Sequence, residues 1–265
     1  MLKLYPFFSS SSGNMYYIKS DLTSIIIDLG VSYKKIKDAL TTSGNDISNV
    51  NAVFITHEHS DHIKGLNMFV KKNPNTPIYS SEGTYNYLCN ILNKAEIPSD
   101  SLQIIDTNNP ITINDVTIQA FDTIHDAVNP VGYKMSSGKK TLTIATDLGT
   151  MTDDVFCHLC DSSFSVIESN YDKNMLYAGS YPFYIKRRIA GPYGHLSNED
   201  SGQVILKLAE NGKRNFLLSH MSENNNMPIL AKEAICSTLS LAGFDISEFD
   251  ISVAPKEFTG EVYLL

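Results

Sequence analysis

Short apolar runs set the rhythm of the first half of the chain. The segments LKLYPFF, MYYI, TSIIIDL and NAVFIT are each of strand length and rich in β-branched or aromatic side chains, a pattern that predicts strands. Among them, residues 31–44, 63–73 and 82–95 repeat apolar positions at spacings of three and four, which predicts helices. The second half predicts strands around ITINDVTIQAF, VGYKMSS, KTLTIAT, SFSVIES and RNFLLS, with helices from Met151 onward, after Ser197 and after Asn226. No Pro/Gly/Ser linker, low-complexity block or repeat of roughly 20 to 50 residues divides the chain. The economical expectation is an α/β protein, one domain over residues 1–265, with sheet-rich layers and outer helices.

Composition narrows the class. With 265 residues, 42% hydrophobic and 19% charged, the chain is globular in type and long enough for a large core. The formal net charge of -8 excludes a whole-protein positive field that would draw in nucleic acid or an anionic membrane, so any anionic substrate has to be held by a local site. Four cysteines are too few for a disulfide-framed secreted domain, and the opening MLKLYPFFSS lacks the long apolar core of a signal peptide. No uncharged apolar run approaches the roughly 18 residues of a membrane span. The expectation is a soluble cytoplasmic protein with no membrane partner. Cys157 and Cys160 form a C-x-x-C beside His158, but no second pair follows at zinc-ribbon spacing, so a structural role on a helix is expected.

The chemistry concentrates in ITHEHSDHIKG, residues 55–65, directly after the apolar run NAVF. His57 and His59 point the same way if strand geometry persists, while Asp61 and His62 turn into the next helix and can face a second position. Four such ligands in six residues exceed one structural zinc site, where four normally come as two pairs, and so suggest two adjacent metals. Further ligands are expected where other apolar runs end, because a rigid sheet fixes the backbone there and loops leave space for substrate. His125, Asp147 and His220 occupy such places. A consistent assignment gives one metal His57, His59 and His125, and the other Asp61, His62 and His220. Asp147 then bridges, its two oxygens holding both ions about 3.5 to 4 Å apart with a bridging hydroxide as nucleophile. Nitrogen-rich ligation suits zinc, and the mixed histidine and carboxylate set also admits manganese or iron.

At this point the sequence resembles the metallo-β-lactamase superfamily, whose HxHxDH signature matches His57, His59, Asp61 and His62. Within it the chain is similar to the YycJ/WalJ branch through SSSSGN, IATDLG, ESNYD, YPFYIKRRIAGPYGHLSNED, SHMSENNN and VAPKEFTGEVYLL, which together span nearly the whole chain. The resemblance implies an αβ/βα four-layer sandwich with a dinuclear site at one edge and the ligand set above, including the Asp147 bridge. It also implies a metal-dependent nuclease acting on DNA, a 5′-to-3′ exonuclease linked to repair. Related phosphodiesterases such as tRNase Z support a histidine with a strand-end glutamate, and Glu168 and His195 match those two places. The chain departs from the branch at Tyr171, where a histidine is common, and no metal or catalytic role is assigned to it.

Phosphodiester cleavage needs donors for nonbridging oxygens and an acid for the leaving alcohol. His59 stands where the redox diiron branch typically carries an acid, which favours hydrolysis. IKRRIAG supplies Lys186, Arg187 and Arg188, as a phosphate-binding patch or equally as a solvated helix face. Ser197 can cap the following helix, whose backbone N–H groups could accept an anion. Ser11, Ser12, Gly13 and Asn14 offer further donors, or form a plain serine-rich turn. With the other histidines placed as ligands and His158 as structural, His195 is left as the leaving-group acid, with Gly191 and Gly194 giving a polyanion room to approach it. The candidate catalytic groups are therefore Asp61, His195 and Glu168, and the candidate substrate contacts Ser12, Asn14, Lys186, Arg187, Arg188 and Ser197. The rival readings are a small-molecule metallohydrolase, such as a cyclic phosphodiesterase or lactonase, and a nonenzymatic nucleic-acid-binding module.

Overall fold

In the computed structural model, which describes residues 1–265, the strands sort into two seven-stranded sheets. The first half of the chain forms β1 (Lys3–Ser10), β2 (Gly13–Lys19), β3 (Ser24–Ile27), α1 (Tyr33–Thr42), β4 (Ala52–Phe54), α2 (Ser60–Ile63), α3 (Leu66–Lys72), β5 (Ile78–Ser80), α4 (Glu82–Lys94) and β6 (Leu102–Ile104). The second half forms β7 (Ile111–Ile113), β8 (Val116–Asp122), β9 (Val131–Ser137), β10 (Lys140–Ala145), α5 (Asp153–Cys160), β11 (Phe164–Glu168), α6 (Lys173–Ala178) and α7 (Phe183–Ile189). It continues with α8 (Asn198–Glu210), β12 (Asn215–Ser219), α9 (Pro228–Leu241), β13 (Asp250–Val253) and β14 (Tyr263–Leu264).

The first sheet runs in the order β14, β1, β2, β3, β4, β5, β6, and the second β13, β12, β11, β10, β9, β8, β7. Both are mixed: β1, β2 and β3 pair antiparallel and β3 to β6 parallel, while β7 to β10 pair antiparallel and β10 to β13 parallel.

Strand alternation explains the layering. Ile25 and Ile27 of β3 face the core between the sheets, with Tyr133, Ile144 and Val166 of the second sheet, whereas Ile26 joins the core beneath α1, α3 and α4. Likewise Leu217 points between the sheets, while Phe216 and Leu218 pack under α5, α8 and α9. Strands buried on both faces read as unbroken apolar runs, which is why TSIIIDL and RNFLLS were legible. Three cores between four layers make the αβ/βα sandwich. No helix is long and apolar enough to cross a membrane.

The helix expected over residues 63–73 is instead two, α2 and α3, broken at Gly65. The Gly65 N–H donates to the Leu29 carbonyl, and a Cβ there would meet the Val31 carbonyl oxygen at 2.5 Å, so the chain passes too close to the β3 exit for a continuous helix.

Three of the five non-glycine residues with positive φ follow strands at one edge: Asp28 (63°) after β3, Asp147 (56°) after β10 and His220 (53°) after β12. The left-handed region costs roughly 1–2 kcal/mol for an L-residue. Tertiary contacts must hold all three, and each turns a polar side chain toward the same pocket.

Candidate metal centre

β4 ends at Phe54, so extended geometry does not persist to His57 and His59. Their rings nevertheless sit 4.6 Å apart between centroids, and both lie beside His125, at 5.2 and 5.0 Å. Nitrogens of His57, His59 and His125 fall within 4.8 Å of one another, as do ligand atoms of Asp61, His62 and His220, and those of His57, His62 and Asp147. Asp147 stands between the groups: Oδ1 is 3.6 Å from His125 Nε2 and 3.5 Å from His220 Nε2, and Oδ2 is 3.4 Å from His62 Nε2.

Four of the rings share one orientation. His62 donates from Nδ1 to Asp28 Oδ2 (2.7 Å), His125 from Nδ1 to the Gly194 carbonyl (3.0 Å) and His220 from Nδ1 to Glu168 Oε1 (2.8 Å), while His57 Nδ1 pairs with the Thr56 hydroxyl (3.1 Å). Each therefore turns Nε2 inward, the arrangement in which outer hydrogen bonds fix a metal-ligating imidazole. Two buried atoms in this pocket, His57 Nε2 and Asp147 Oδ2, have no hydrogen-bond partner. Orphaned buried polar atoms are costly. Converging imidazole nitrogens and carboxylate oxygens with two orphans among them fit a divalent cation.

The electrostatics agree. Burial, reinforced by the other imidazoles, pulls His57 well below the ordinary imidazole range, and burial likewise lowers His125. Burial also disfavours charge on His62, yet Asp28, Asp147 and Asp61 hold it well above that range. His220 is pushed up to about 10, since Asp147, Asp61 and Glu168 outweigh its burial. Asp147 is buried and Asp61 half-buried, which disfavours charge on both, but the surrounding histidines keep both carboxyls far below the usual carboxylate range. The raised proton affinity of His62 and His220 partly offsets the four carboxylates around them, Asp28, Asp61, Asp147 and Glu168.

His195, after the loop that follows α7, donates from Nδ1 to Glu168 Oε1 at 2.8 Å. Glu168 is fully buried, its carboxyl lowered to about 2 because its imidazole partners outweigh desolvation. The same Oε1 takes the Nδ1 bond of His220, and Oε2 accepts from the Leu148 and Leu196 amides. Glu168 thus supports two histidines, not only the one that sequence suggested. A cavity of about 300 Å³ opens beside His195, with Tyr171, Gly149 and Pro192 in its wall. Burial and the nearby Asp200 push the Tyr171 hydroxyl above the ordinary phenol range, so it is a neutral group.

The expected substrate donors are mostly engaged elsewhere. Lys186, on α7, donates to the carbonyls of Tyr177 and Gly179 (2.8 and 2.7 Å), and Arg188 is ion-paired with Asp126. Only Arg187 of the three is exposed with no such partner in the fold. Ser197 caps α8, accepting from the Asp200 N–H and donating to its carboxylate (2.6 Å), so the start of α8 already holds acid and is closed to a further anion. Ser12 donates to Glu223 (2.5 Å). Asn14 is buried against the pocket, its amide 3.2 Å from Asp61 Oδ2 and 3.1 Å from His62 Nε2. Gly191 and Gly194 do not leave open room as expected: a Cβ at Gly194 would meet the Ile189 and Arg188 carbonyl oxygens at 2.1 and 2.3 Å, and one at Gly191 the Arg187 oxygen at 2.9 Å. These glycines let the loop pack onto the end of α7. His158 stacks on Phe121 at 4.5 Å, away from the pocket, on the helix that carries the free Cys157 and Cys160.

Sequence reasoning did not find Asp28, Thr56, Asp126 or Asn170. Asp126 Oδ1 lies 3.4 Å from His125 Nε2 and 3.9 Å from His59 Nε2, and the Asn170 amide donates to the His220 carbonyl (2.7 Å). The position of Asp28 at the end of an apolar strand, as for Asp147, was the available signal.

The family model described as "Beta-lactamase superfamily domain" matches residues 23–221. The chain is 33% identical over 240 residues to the exodeoxyribonuclease YycJ of Bacillus anthracis, covering 91% of this chain and 90% of that protein. It is 32% identical over 248 residues to the exodeoxyribonuclease WalJ of Streptococcus pneumoniae serotype 2 (strain D39), covering 92% of each. In fold it is similar to the metallo-β-lactamase fold protein YhfI of Bacillus subtilis (TM-score 0.71, 17% identity, 99% and 98% of the two chains). It is similar also to the short form of human tRNase Z (TM-score 0.65, 14% identity, 100% and 99%).

Proposed function

The chain belongs to the metallo-β-lactamase superfamily, and from that premise we propose that this metal-dependent hydrolase is a phosphodiesterase acting on DNA as an exonuclease. The observation that carries the reading is the His195–Glu168 pair, 2.8 Å between Nδ1 and Oε1, at the rim of the ligand pocket. A phosphodiester has an alkoxide leaving group to protonate, and an imidazole held by a buried carboxylate beside the pocket is suited to supply that proton. Two relatives at 33% and 32% identity are named exodeoxyribonucleases, which supports DNA as the substrate class. The 5′-to-3′ direction and a place in repair belong to the same reading.

In this assignment His57, His59 and His125 would hold one divalent ion and Asp61, His62 and His220 a second, with Asp147 between them; zinc or manganese suits the donors. Ions bound there would supply Lewis acidity for activating water and for taking up charge on phosphoryl oxygens. Asp28 and Glu168 fix the tautomers of His62 and His220, so that both present Nε2 to the pocket. Glu168 does the same for His195, leaving its Nε2 as the atom that passes a proton to the departing oxygen. Tyr171 lines the cavity beside His195 as a neutral group.

Digestion of end-labelled DNA with zinc or manganese tests this, using 5′-phosphate, 5′-hydroxyl and circular substrates beside an activated phosphodiester and a lactone. End-dependent loss of linear DNA is expected. Equal cutting of circles removes the exonuclease reading, and turnover of the lactone alone removes phosphodiester chemistry.

A further inference from the structure

Helix α7 has no buried residue, which is unusual for an element next to a reactive centre. Its outward face carries Phe183 and Tyr184, 70% and 71% exposed, with Tyr177 on α6 and Tyr193 on the following loop at 59% and 62%. Apart from Tyr87, these are all the largely exposed aromatic rings of the chain, and they fall within residues 177–193. Residues 173–198 contain no Asp or Glu and four cations, Lys173, Lys186, Arg187 and Arg188, in a chain of net charge -8. Of these cations Lys173 and Arg188 are paired with Asp200 and Asp126 and Lys186 is bound to carbonyls, which leaves Arg187 free among the exposed rings; rings beside a free cation match the chemistry of a strand with open base faces and a phosphate backbone.

The segment is also fixed to the metal centre. The His195 N–H donates to the Ile189 carbonyl at the end of α7, and the Gly194 carbonyl holds His125 Nδ1. Arg188 clasps Asp126, whose amide donates to the Tyr193 carbonyl and whose other carboxylate oxygen faces His125 and His59. Whatever lies on α7 is therefore held in register with the candidate acid and the ligand pocket.

We propose that α7 and its flanking loops form a stacking platform for single-stranded DNA, with bases on Phe183, Tyr184 and Tyr193 and a phosphate on Arg187. The inference rests on the nuclease reading of the adjacent site and adds the form of the substrate there. A duplex presents phosphates and base edges but keeps its base faces stacked, so exposed rings have nothing to hold until the strand is open. The platform therefore engages the strand that is to be cut after it has left its complement, or a single-stranded overhang.

The test measures fluorescence anisotropy with the metal-loaded full chain and a nuclease-resistant phosphorothioate 12-mer of thymidine, against an abasic 12-mer of equal charge. The wild type binds the thymidine strand about 10-fold or more tightly than the abasic one, and Phe183→Ala/Tyr184→Ala binds both alike. Arg187→Gln weakens both strands and lowers the salt slope by about 0.7. Equal binding of the two strands by the wild type overturns the platform, as does wild-type affinity in the double variant. Loss of bis(p-nitrophenyl) phosphate hydrolysis in that variant also overturns it, because the rings would then be shaping the metal pocket. So does ring-dependent self-association without a change in DNA affinity, which assigns the face to a second copy. The nuclease reading fails separately, if ring-dependent binding is found but no DNA is cut with any metal. Conversely, DNA cut equally well by wild type and double variant leaves the nuclease standing and removes the platform.

Discussion

Asp28 places a carboxylate oxygen 2.7 Å from Nδ1 of His62, with both side chains sealed from solvent. Its other bonds go to the Thr56 amide and hydroxyl, so it ties the end of β3 to the loop that carries the HxHxDH ligands. Asp28→Ala frees the ring to turn, and metal affinity is expected to fall about 10- to 100-fold. Asp28→Asn keeps an acceptor and tolerates φ near 63°, so it loses less. Competition with a chromophoric chelator measures both; wild-type affinity in the alanine variant would show that something else orients His62.

His195 and Glu168 separate catalysis from ligation. His195→Ala is expected to lower turnover on DNA by about 10²- to 10⁴-fold while the protein keeps its full metal content. Glu168→Gln should lower both turnover and metal affinity, because the same oxygen also supports His220. Metal analysis of each variant beside its rate decides the matter, and metal loss in His195→Ala would make that residue a ligand.

Metal uptake should release protons. His220 is raised from 6.5 to about 10 in the metal-free protein, so at neutral pH a proton must leave before Nε2 can bind a cation. Metal affinity then climbs with pH. In the metal-free fold the contribution of charged His220 to stability is complete below about 6.5 and fades as pH rises through about 10, the direction set by a raised folded-state pKa. Calorimetric titration with zinc in buffers of different ionisation enthalpy reads the released protons; an enthalpy independent of buffer near pH 7 contradicts the prediction.

Gly30 is wedged between two backbones of the site. A Cβ there would lie 1.8 Å from the Asp61 carbonyl oxygen and 2.4 Å from the Asn14 nitrogen, neither of which is a flexible side-chain tip. Gly30→Ala is expected to cost about 1–3 kcal/mol, as overpacking does. That lowers the melting temperature by several degrees, at roughly 2–4 °C per kcal/mol, and displaces Asp61. Thermal unfolding with and without zinc should show both the drop and a smaller stabilisation by metal.

The grouping of this candidate centre was legible because its histidines and aspartates are rare residue types, four of them packed into six positions and the others placed where apolar runs stop. The central strands were legible for the same reason that they are central: burial on two faces leaves long apolar runs. β5, β6, β13 and β14, of two to four residues, are too short to show an alternation, and their existence depends on neighbours that only the sheet order supplies. The Asp28–His62, Asp126–Arg188 and Glu168–His220 bonds join positions 34, 62 and 52 apart, and local spacing carries no trace of them. The basic run on α7 read as a phosphate-binding patch or a solvated face because sequence does not reveal that Lys186 folds back onto the Tyr177 and Gly179 carbonyls and that Arg188 reaches Asp126.

The pocket draws its ligands from the ends of both sheets, and Asp61 and His220 are 159 positions apart. During synthesis the HxHxDH run emerges long before β12 exists, so an incomplete chain has these imidazoles without Asp147 or His220 beside them. The grouping is therefore complete only when the two halves of the chain have closed on each other, which makes the pocket a seal between them.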